Sequence, residues 1–198
     1  MIFQEPMTAL NPVLSIGKQM TEALVINDVC NQKEANERAA DMLNRVSISE
    51  PKKRMKQYPH EFSGGMRQRM LIAMVMLIEP KLLIADEPTT ALDVTIQAQI
   101  LDLLCSLVSD SNLGLILITH DMGVVAETAD RVLVMLGGKE VEQAKVNKLF
   151  KNPTKPYTQS LLAAVPRLDD KISEDQTNSK TSSIPLVKIN QVSKTFSK

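Results

Sequence analysis

The chain has 198 residues, of which 43% are hydrophobic and 23% are charged, a composition that predicts a globular protein with one core and room for an appended segment. Its 23 basic residues balance its 23 acidic ones and only 3% of its residues are aromatic, so the composition disfavours a protein that binds nucleic acid. The spacing of Cys30 and Cys105 indicates neither a disulfide framework nor a metal site. The sequence contains neither an apolar run of about 18 residues, which would predict a membrane span, nor a signal-peptide pattern, which would predict export.

A helical region is predicted for the first part of the chain. Residues 1–3 have the pattern of the end of a strand, so we expect the chain to begin inside a domain. From residue 11 onward apolar residues recur at helical spacing, and we place a helical subdomain at about residues 5–78. One apolar face is predicted to hold Ile16, Met20, Ala23 and Leu24, and a second Ala35, Ala39, Met42, Leu43 and Val46.

Short apolar runs then alternate with helical patterns. This alternation predicts βαβ units around a buried parallel sheet, with the sheet core at residues 80–145. Gly137-Gly138 separates two strand-like runs and predicts a two-residue hairpin, so an antiparallel pair is expected at the edge of the domain. The predicted elements are the runs 81–85, 115–119 and 131–136 and the helices 95–108 and 122–129.

The composition changes again near the C-terminus. Residues 167–183 are too polar to bury a core and predict a flexible linker. Residues 186–192 alternate like a strand, which we interpret as the first strand of a further unit at 184–198.

The most informative local pattern is Ser63-Gly64-Gly65 at the start of an apolar helix. Ser63 suits an N-cap, the two glycines leave backbone N–H groups uncovered, and the helix dipole adds partial positive charge. Together these features predict a site for an anion such as a phosphate. An ordinary turn that opens a core helix is the alternative, and the pattern alone does not separate the two.

Two adjacent carboxylates, Asp86 and Glu87, follow the apolar run 82–85. In an open α/β sheet the ligand crevice lies beyond the carboxyl ends of the strands, so both side chains are expected to face a ligand. Asp86 could hold Mg²⁺, directly or through water, while Glu87 polarises an attacking water. The alternative is that both acids only mark the end of a strand and the start of the next helix.

His120 follows the apolar run 114–119 and is expected at the same edge of the sheet. An imidazole there can donate to a γ-phosphate oxygen and help to hold the attacking water. For a lone histidine a capping or surface role is the alternative, and His60 is interpreted as structural. Helix packing explains the methionines of the helix that follows residue 65 better than soft-metal binding does; they are Met66, Met70, Met74 and Met76.

These patterns occur in the order and spacing of the ATP-binding cassette (ABC) family, which the chain resembles over most of residues 1–140. Gln4 resembles the family's Q-loop, which contacts Mg²⁺ and water and couples to the membrane partner. Residues 63–65 resemble the signature motif, although Phe62 and Met66 replace the usual Leu and Gln. Residues 86–87 match Walker B and the catalytic glutamate, residues 91–93 match the D-loop, and His120 matches the switch histidine.

The resemblance implies a fold and a set of site residues. The fold is α/β, a partial P-loop NTPase (ABC ATPase) fold with a parallel sheet core and an inserted helical subdomain, without the N-terminal Walker A strand, loop and helix. The implied cofactors are ATP and Mg²⁺. The implied residues are Glu87 and His120 for catalysis, Gln4, Ser63, Gly64, Gly65 and Asp93 for nucleotide binding, and Asp86 and Gln4 for Mg²⁺.

Residues 4–12 and 152–162 look like the oligopeptide, dipeptide and nickel importer branch of the family. That likeness implies uptake of peptides or a related small solute at the cytoplasmic face of the plasma (inner) membrane, with the chain as a peripheral subunit. The implied partners are permease subunits, a second ABC domain in a head-to-tail dimer and, indirectly, an extracytoplasmic solute-binding protein, with no nucleic acid. On this interpretation residues 1–166 are the C-terminal portion of one ABC domain, with an extension at 146–166, and residues 184–198 begin a second.

The sequence contains no Gly-x-x-x-x-Gly-Lys-Ser/Thr loop, whose backbone N–H groups wrap phosphates and whose Lys neutralises their charge. We therefore expect these 198 residues alone to hydrolyse no ATP, while Ser63 and the amides that follow it serve a nucleotide held by the opposite domain. The alternatives are an inert fragment that docks on a permease and a truncated gene product. An ABC ATPase of DNA repair or translation would predict zinc-ligand cysteines or basic insertions, and neither is present in the sequence.

Overall fold

Helices make up the first half of the chain, and the named strands follow residue 80. The structure is a computed structural model that describes residues 1–4, 9–90, 92–111 and 113–164. The predicted linker at 167–183 and the predicted strand at 184–198 lie outside the described residues. In chain order the elements are α1 (Ile16–Ile26), α2 (Gln32–Arg45), α3 (Pro51–Arg54), a short 3₁₀ helix (Pro59–Glu61), α4 (Gly64–Met76), β1 (Leu82–Asp86), α5 (Val94–Ser111), β2 (Gly114–Ile118), α6 (Met122–Thr128), β3 (Arg131–Leu136), β4 (Lys139–Lys145), α7 (Val146–Lys151) and α8 (Pro156–Ala163).

Helices α1, α2 and α4 pack together as one part of the main core. The apolar face predicted for α2 is buried throughout, including Val46 just after the helix. The prediction for α1 was wrong at Ala23, which is exposed. Thr21 is buried on α1 instead, because its hydroxyl donates to the Gly17 carbonyl 2.9 Å away and so loses no hydrogen bond on burial.

Helix α4 runs through the middle of the main core. Ser63 caps its N-terminus by accepting from the Met66 amide at 3.4 Å, as predicted for this position. Met70 and Ala73, one turn apart on one face, and Ile72 on the opposite face are all fully buried, so α4 is covered on more than one face.

Strands β1 and β2 form the predicted parallel pair, in which Leu82 lies opposite Gly114 and Asp86 opposite Ile118. Ile2 bridges Ala85 in parallel on the other side of β1, so the start of the chain adds a third parallel segment. Strand β3 does not continue this sheet. It pairs antiparallel with β4 in a separate sheet, through a turn in which Gly137 and Gly138 have φ of 56° and 75°.

A second, smaller core lies between the β3–β4 hairpin and the helices around it. We call it the C-terminal core; its buried members are Met122, Val134, Leu149 and Leu162. Glu142 of β4 is 9% exposed, and its carboxylate accepts hydrogen bonds from the Thr154 amide at 2.9 Å, the Thr154 hydroxyl at 2.8 Å and the Lys155 amide at 3.1 Å. These bonds fix the start of α8 against the hairpin.

The hydrogen bonds to Glu142, led by that of the Thr154 amide, lower the pKa of its carboxyl from 4.5 to about 2. A depressed folded-state pKa adds stability that is present above the unfolded value and lost as the pH falls through the folded one. We therefore expect the C-terminal core to lose hydrogen-exchange protection as the pH falls from about 4.5 towards 2.

The matched variants are Glu142→Gln and Glu140→Gln, since Glu140 is exposed on the same strand. The first should reduce protection of residues 131–163 at neutral pH and flatten its acid dependence, because a neutral amide is a weaker acceptor. The second should behave as the parent chain. Equal acid dependence in all three proteins would contradict this account of Glu142.

Candidate functional site

Three parallel segments end at one edge of the β1–β2 sheet. Glu87 directly follows β1, and its amide donates to the Ile118 carbonyl at the end of β2, 2.9 Å away. Gln4 lies two residues beyond Ile2, which is bridged to Ala85, and His120 lies two residues beyond Ile118. The parallel register therefore brings Gln4 and His120 to the two sides of Glu87.

The Glu87 carboxylate is the centre of the candidate site. Its Oε2 accepts from Gln4 Nε2 and from the Thr90 hydroxyl, each at 2.8 Å. Its Oε1 lies 3.0 Å from His120 Nδ1, and that hydrogen bond forms in the tautomer or protonation state that carries a proton on Nδ1. The side chain of Glu87 is 24% exposed and that of His120 is 80% exposed, so the histidine reaches the carboxylate from the solvent side.

These donors keep Glu87 ionised. The hydrogen bond from His120 and the one from the Thr90 hydroxyl hold the pKa of the Glu87 carboxyl below its usual value, while partial burial acts in the opposite direction. At neutral pH the site therefore contains a carboxylate that can accept a proton or a hydrogen bond.

Asp86 and Gln4 carry the hard oxygen atoms that Mg²⁺ prefers. The side-chain nitrogen of Gln4 donates to Glu87, whereas its side-chain carbonyl oxygen takes no part in that hydrogen bond. Within the described residues no group of three or more His, Cys, Asp or Glu side chains is arranged to hold a metal ion. In donor chemistry, though not by any measured distance between them, Asp86 and the Gln4 carbonyl match a Mg²⁺ ion that keeps water or phosphate oxygens as its other ligands.

Residues 63–65 lie elsewhere, at the start of α4 and against the start of α5. A Cβ on Gly65 would meet Ile96 Cγ2 at 2.7 Å, whereas one on Gly64 would meet Leu92 Cδ2 at an ordinary 3.5 Å. The Ser63 side chain caps α4. Ser63, which the sequence assigns to an anion site, therefore also opens a core helix, the structural role given above as the alternative.

Asp93 has a capping role too, because its Oδ1 accepts from the Ile96 amide at 3.0 Å. The structure thus brings Gln4, Glu87 and His120 into direct contact and uses Ser63 and Asp93 at the starts of helices. The remaining residue of the predicted D-loop, at position 91, lies outside the described residues.

Sequence reasoning missed two residues of the site. Thr90 donates to Glu87, and Asp121 accepts from the Gly123 and Val124 amides at 2.8 and 3.3 Å, which fixes the backbone beside His120. An Asp before a helical run is an N-cap signal that identifies Asp121. Thr90 has no comparable signal, because its role depends on the shape of the turn after β1.

The fold is that of an α/β protein of the P-loop NTPase type, in the ABC ATPase class. Among solved structures, the chain is similar to CbiO1 from Clostridium perfringens, described as part of the ABC transporter complex CbiONQ, with 29% identity, a TM-score of 0.66, and coverage of 76% of this chain and 58% of that one. It is also similar to the ATP-binding cassette MJ0796, a dimer in a post-hydrolysis state bound to ADP and Pi, with 26% identity, a TM-score of 0.63, and coverage of 73% and 61%.

Residues 1–90 match the model of the family "ABC transporter", and residues 141–197 match "Oligopeptide/dipeptide transporter, C-terminal region". The chain belongs to the ABC transporter ATPase family, with the C-terminal region of the oligopeptide/dipeptide transporters. No helix among the described residues is long and apolar enough to cross a membrane.

Curated relatives point to the same branch. The oligopeptide transport ATP-binding protein AppD of Bacillus subtilis is 54% identical over 93% of this chain and 56% of the relative. OppD of Salmonella typhimurium, with the same description, is 55% identical over 88% and 52%, and the dipeptide transport ATP-binding protein DppD of B. subtilis is 56% identical over 85% and 50%. The chain spans about half the length of the curated relatives it matches.

Proposed function

We propose that the chain is part of the ATP-binding subunit of an ABC importer, in which ATP binding and hydrolysis drive uptake of peptides or a related small solute through a membrane permease. The convergence of Gln4 and His120 on the Glu87 carboxylate carries this proposal. The names of the relatives support the transported class, since they are oligopeptide and dipeptide transport proteins.

In this proposal each residue of the site has a separate task. Glu87 accepts a hydrogen bond from the attacking water and polarises it, and His120 donates to a γ-phosphate oxygen. Asp86 and the Gln4 carbonyl would hold Mg²⁺, which supplies positive charge near the phosphates. Phosphoryl transfer is catalysed mainly by positioning and by electrostatic stabilisation, so the fixed geometry around Glu87 is the contribution of this chain.

Ser63 and the amides of Gly64 and Gly65 complete the proposal by contacting a nucleotide held by a second ABC domain in a head-to-tail dimer. A helix N-terminus is suited to this task, because its uncovered N–H groups and its dipole favour phosphate. On this proposal the assembly lies at the cytoplasmic face of the membrane, held by its permease, and an extracytoplasmic solute-binding protein is an indirect partner.

The test is Mg²⁺-dependent ATP hydrolysis by two proteins. One is the 198-residue chain alone, which contains no phosphate-binding loop in its sequence and is expected to be inactive. The other carries a phosphate-loop segment of an ABC ATPase fused ahead of Met1, and it is expected to hydrolyse ATP. Activity in the first protein would overturn the expected inactivity, and a folded fusion that neither binds nor hydrolyses ATP would overturn the proposed function.

A second candidate function is a docking module for the permease, favoured by a groove in the helical region. The groove has a volume of about 750 Å³ and lies between α1, α2 and the segment around α3. Its lining includes the apolar residues Val25, Ile26 and Met55, and four lysines outnumber its two glutamates. The positive rim fits a partner helix with an apolar face and acidic flanks. The charged lining residues are Lys18, Lys33, Lys52, Lys56, Glu22 and Glu37.

Reversing the charge of this rim should weaken capture by the permease. We expect Lys33→Glu with Lys56→Glu to reduce the amount of chain retained on purified permease subunits by about tenfold or more, because like charges then face the acidic partner. Lys148→Glu with Lys151→Glu, on α7 and outside the groove, is the matched control and should leave retention unchanged. Equal loss in both double variants would show that the groove is not the contact surface.

A further inference from the structure

The turn that follows β1 holds Glu87 in an uncommon backbone conformation. Its φ is 43°, in the left-handed region that residues other than glycine seldom adopt. The Thr90 amide donates to the Glu87 carbonyl at 3.1 Å, which closes a four-residue turn, and the Thr90 hydroxyl donates to Glu87 Oε2 at 2.8 Å. One residue therefore holds both the backbone and the side chain of Glu87.

The three donors to the Glu87 carboxylate differ in how far they can move from it. Gln4 and His120 come from segments 83 and 33 residues away, and the His120 side chain is 80% exposed. Either can withdraw while the turn keeps its shape. Thr90 is three residues away in the same turn, so its hydroxyl leaves the carboxylate only by changing rotamer or by opening the turn.

We propose that Thr90 is a positioning residue that fixes the orientation of the Glu87 carboxylate, so that Oε1 stays directed to the side from which His120 approaches. The importance of Glu87 in this inference rests on the proposed function, whereas the contact between Thr90 and Glu87 does not depend on it. Gln4 and His120 are the exchangeable partners, which can give way to a nucleotide and its water. Thr90 is the partner that stays bound, and its hydrogen bond keeps the Glu87 carboxylate in the same orientation during that exchange.

The hydroxyl group is the part of Thr90 that the inference requires. Thr90→Val keeps the branched shape and removes the donor, whereas Thr90→Ser keeps the donor and removes a methyl group. Thr90 is only partly buried, so both variants should fold. A purely structural role of the side chain would make the methyl group matter as much as the hydroxyl.

The experiment observes the Glu87 carboxyl carbon by NMR in the 198-residue chain labelled with ¹³C at glutamate carboxyl groups, at constant neutral pH and without nucleotide. The Glu87 signal is assigned by its loss in Glu87→Gln. In Thr90→Val it should move towards the position shared by the exposed glutamates, and the His120 ring nitrogen signals should move with it. In Thr90→Ser both should stay near their positions in the parent chain.

Thermal unfolding and amide spectra establish that each variant is folded, and Thr90→Ala takes the place of Thr90→Val if the latter unfolds. An unchanged Glu87 signal in the folded variant without a hydroxyl overturns the inference, as does an equal movement in Thr90→Ser. The readout uses no ATP. An inactive fusion protein would therefore overturn the proposed function without changing these signals, and an unchanged carboxyl signal would overturn only the role of Thr90.

Discussion

Glu87→Gln is expected to lower ATP hydrolysis by at least about 100-fold in the fusion protein that carries a phosphate-loop segment. Glutamine keeps the shape of the side chain and can still accept at one oxygen from Thr90 and Gln4. It loses the negative charge that polarises water, and its amide nitrogen cannot accept from His120. Binding of ATP should remain, because the proposed role of Glu87 is confined to the hydrolysis step.

The measurement is phosphate release at saturating ATP together with the equilibrium binding of a labelled ATP. Glu127→Gln is the matched control, since Glu127 is an exposed glutamate on α6 away from the contacts of Glu87. Its activity should equal that of the parent fusion. Retention of most of the activity in Glu87→Gln would remove Glu87 from the proposed mechanism and leave the docking role of the chain standing.

Gly65→Ala is expected to destabilise the chain by about 1–3 kcal/mol, the usual cost of forcing an extra methyl group into a packed site. The added Cβ would lie 2.7 Å from Ile96 Cγ2, closer than carbon atoms pack, and the β-branched Ile96 has little freedom to turn away. The starts of α4 and α5 must then separate. This movement would also displace Ser63 and the amides proposed to contact a nucleotide.

Gly64→Ala is the comparison that isolates this effect. Its added Cβ would meet Leu92 Cδ2 at 3.5 Å, an ordinary contact, so it should cost much less in urea unfolding. The double variant of Gly65→Ala with Ile96→Ala should be less destabilised than the sum of the two single changes, because the clash partner is gone. Additive costs would mean that the contact with Ile96 does not set the spacing of the two helices.

The candidate site around Glu87 could be predicted largely from sequence, because the parallel register places strand ends at a common edge. Two apolar runs that each end in polar residues are enough to bring Glu87 and His120 together. The role of Thr90 could not be predicted in this way, since it follows from the left-handed conformation of Glu87 and not from a spacing of residue types.

The arrangement of the later strands was also only partly predictable. The hairpin at Gly137-Gly138 is confirmed, but apolar runs do not indicate whether β3 joins the first sheet or forms its own with β4. The role of Glu142 depends on a loop that returns to β4 from residues 154–155, a contact between parts of the chain that no local pattern predicts. The exposure of Ala23 has a different origin, because a small alanine side chain is found on either face of a helix and indicates burial only weakly.

The hydrogen bonding of the Glu87 carboxylate depends on three partners at once. Gln4 follows the segment bridged to β1, Thr90 lies in the turn after β1, and His120 follows β2, so the full set of hydrogen bonds to Glu87 exists only when all three parts of the chain are in place. A shift of any one stretch by an ångström or so changes the hydrogen bonding of the carboxylate before it changes the fold. The ability of the Glu87 carboxylate to accept a proton or a hydrogen bond thus depends on how the segments that carry Gln4 and His120 are positioned relative to the turn after β1.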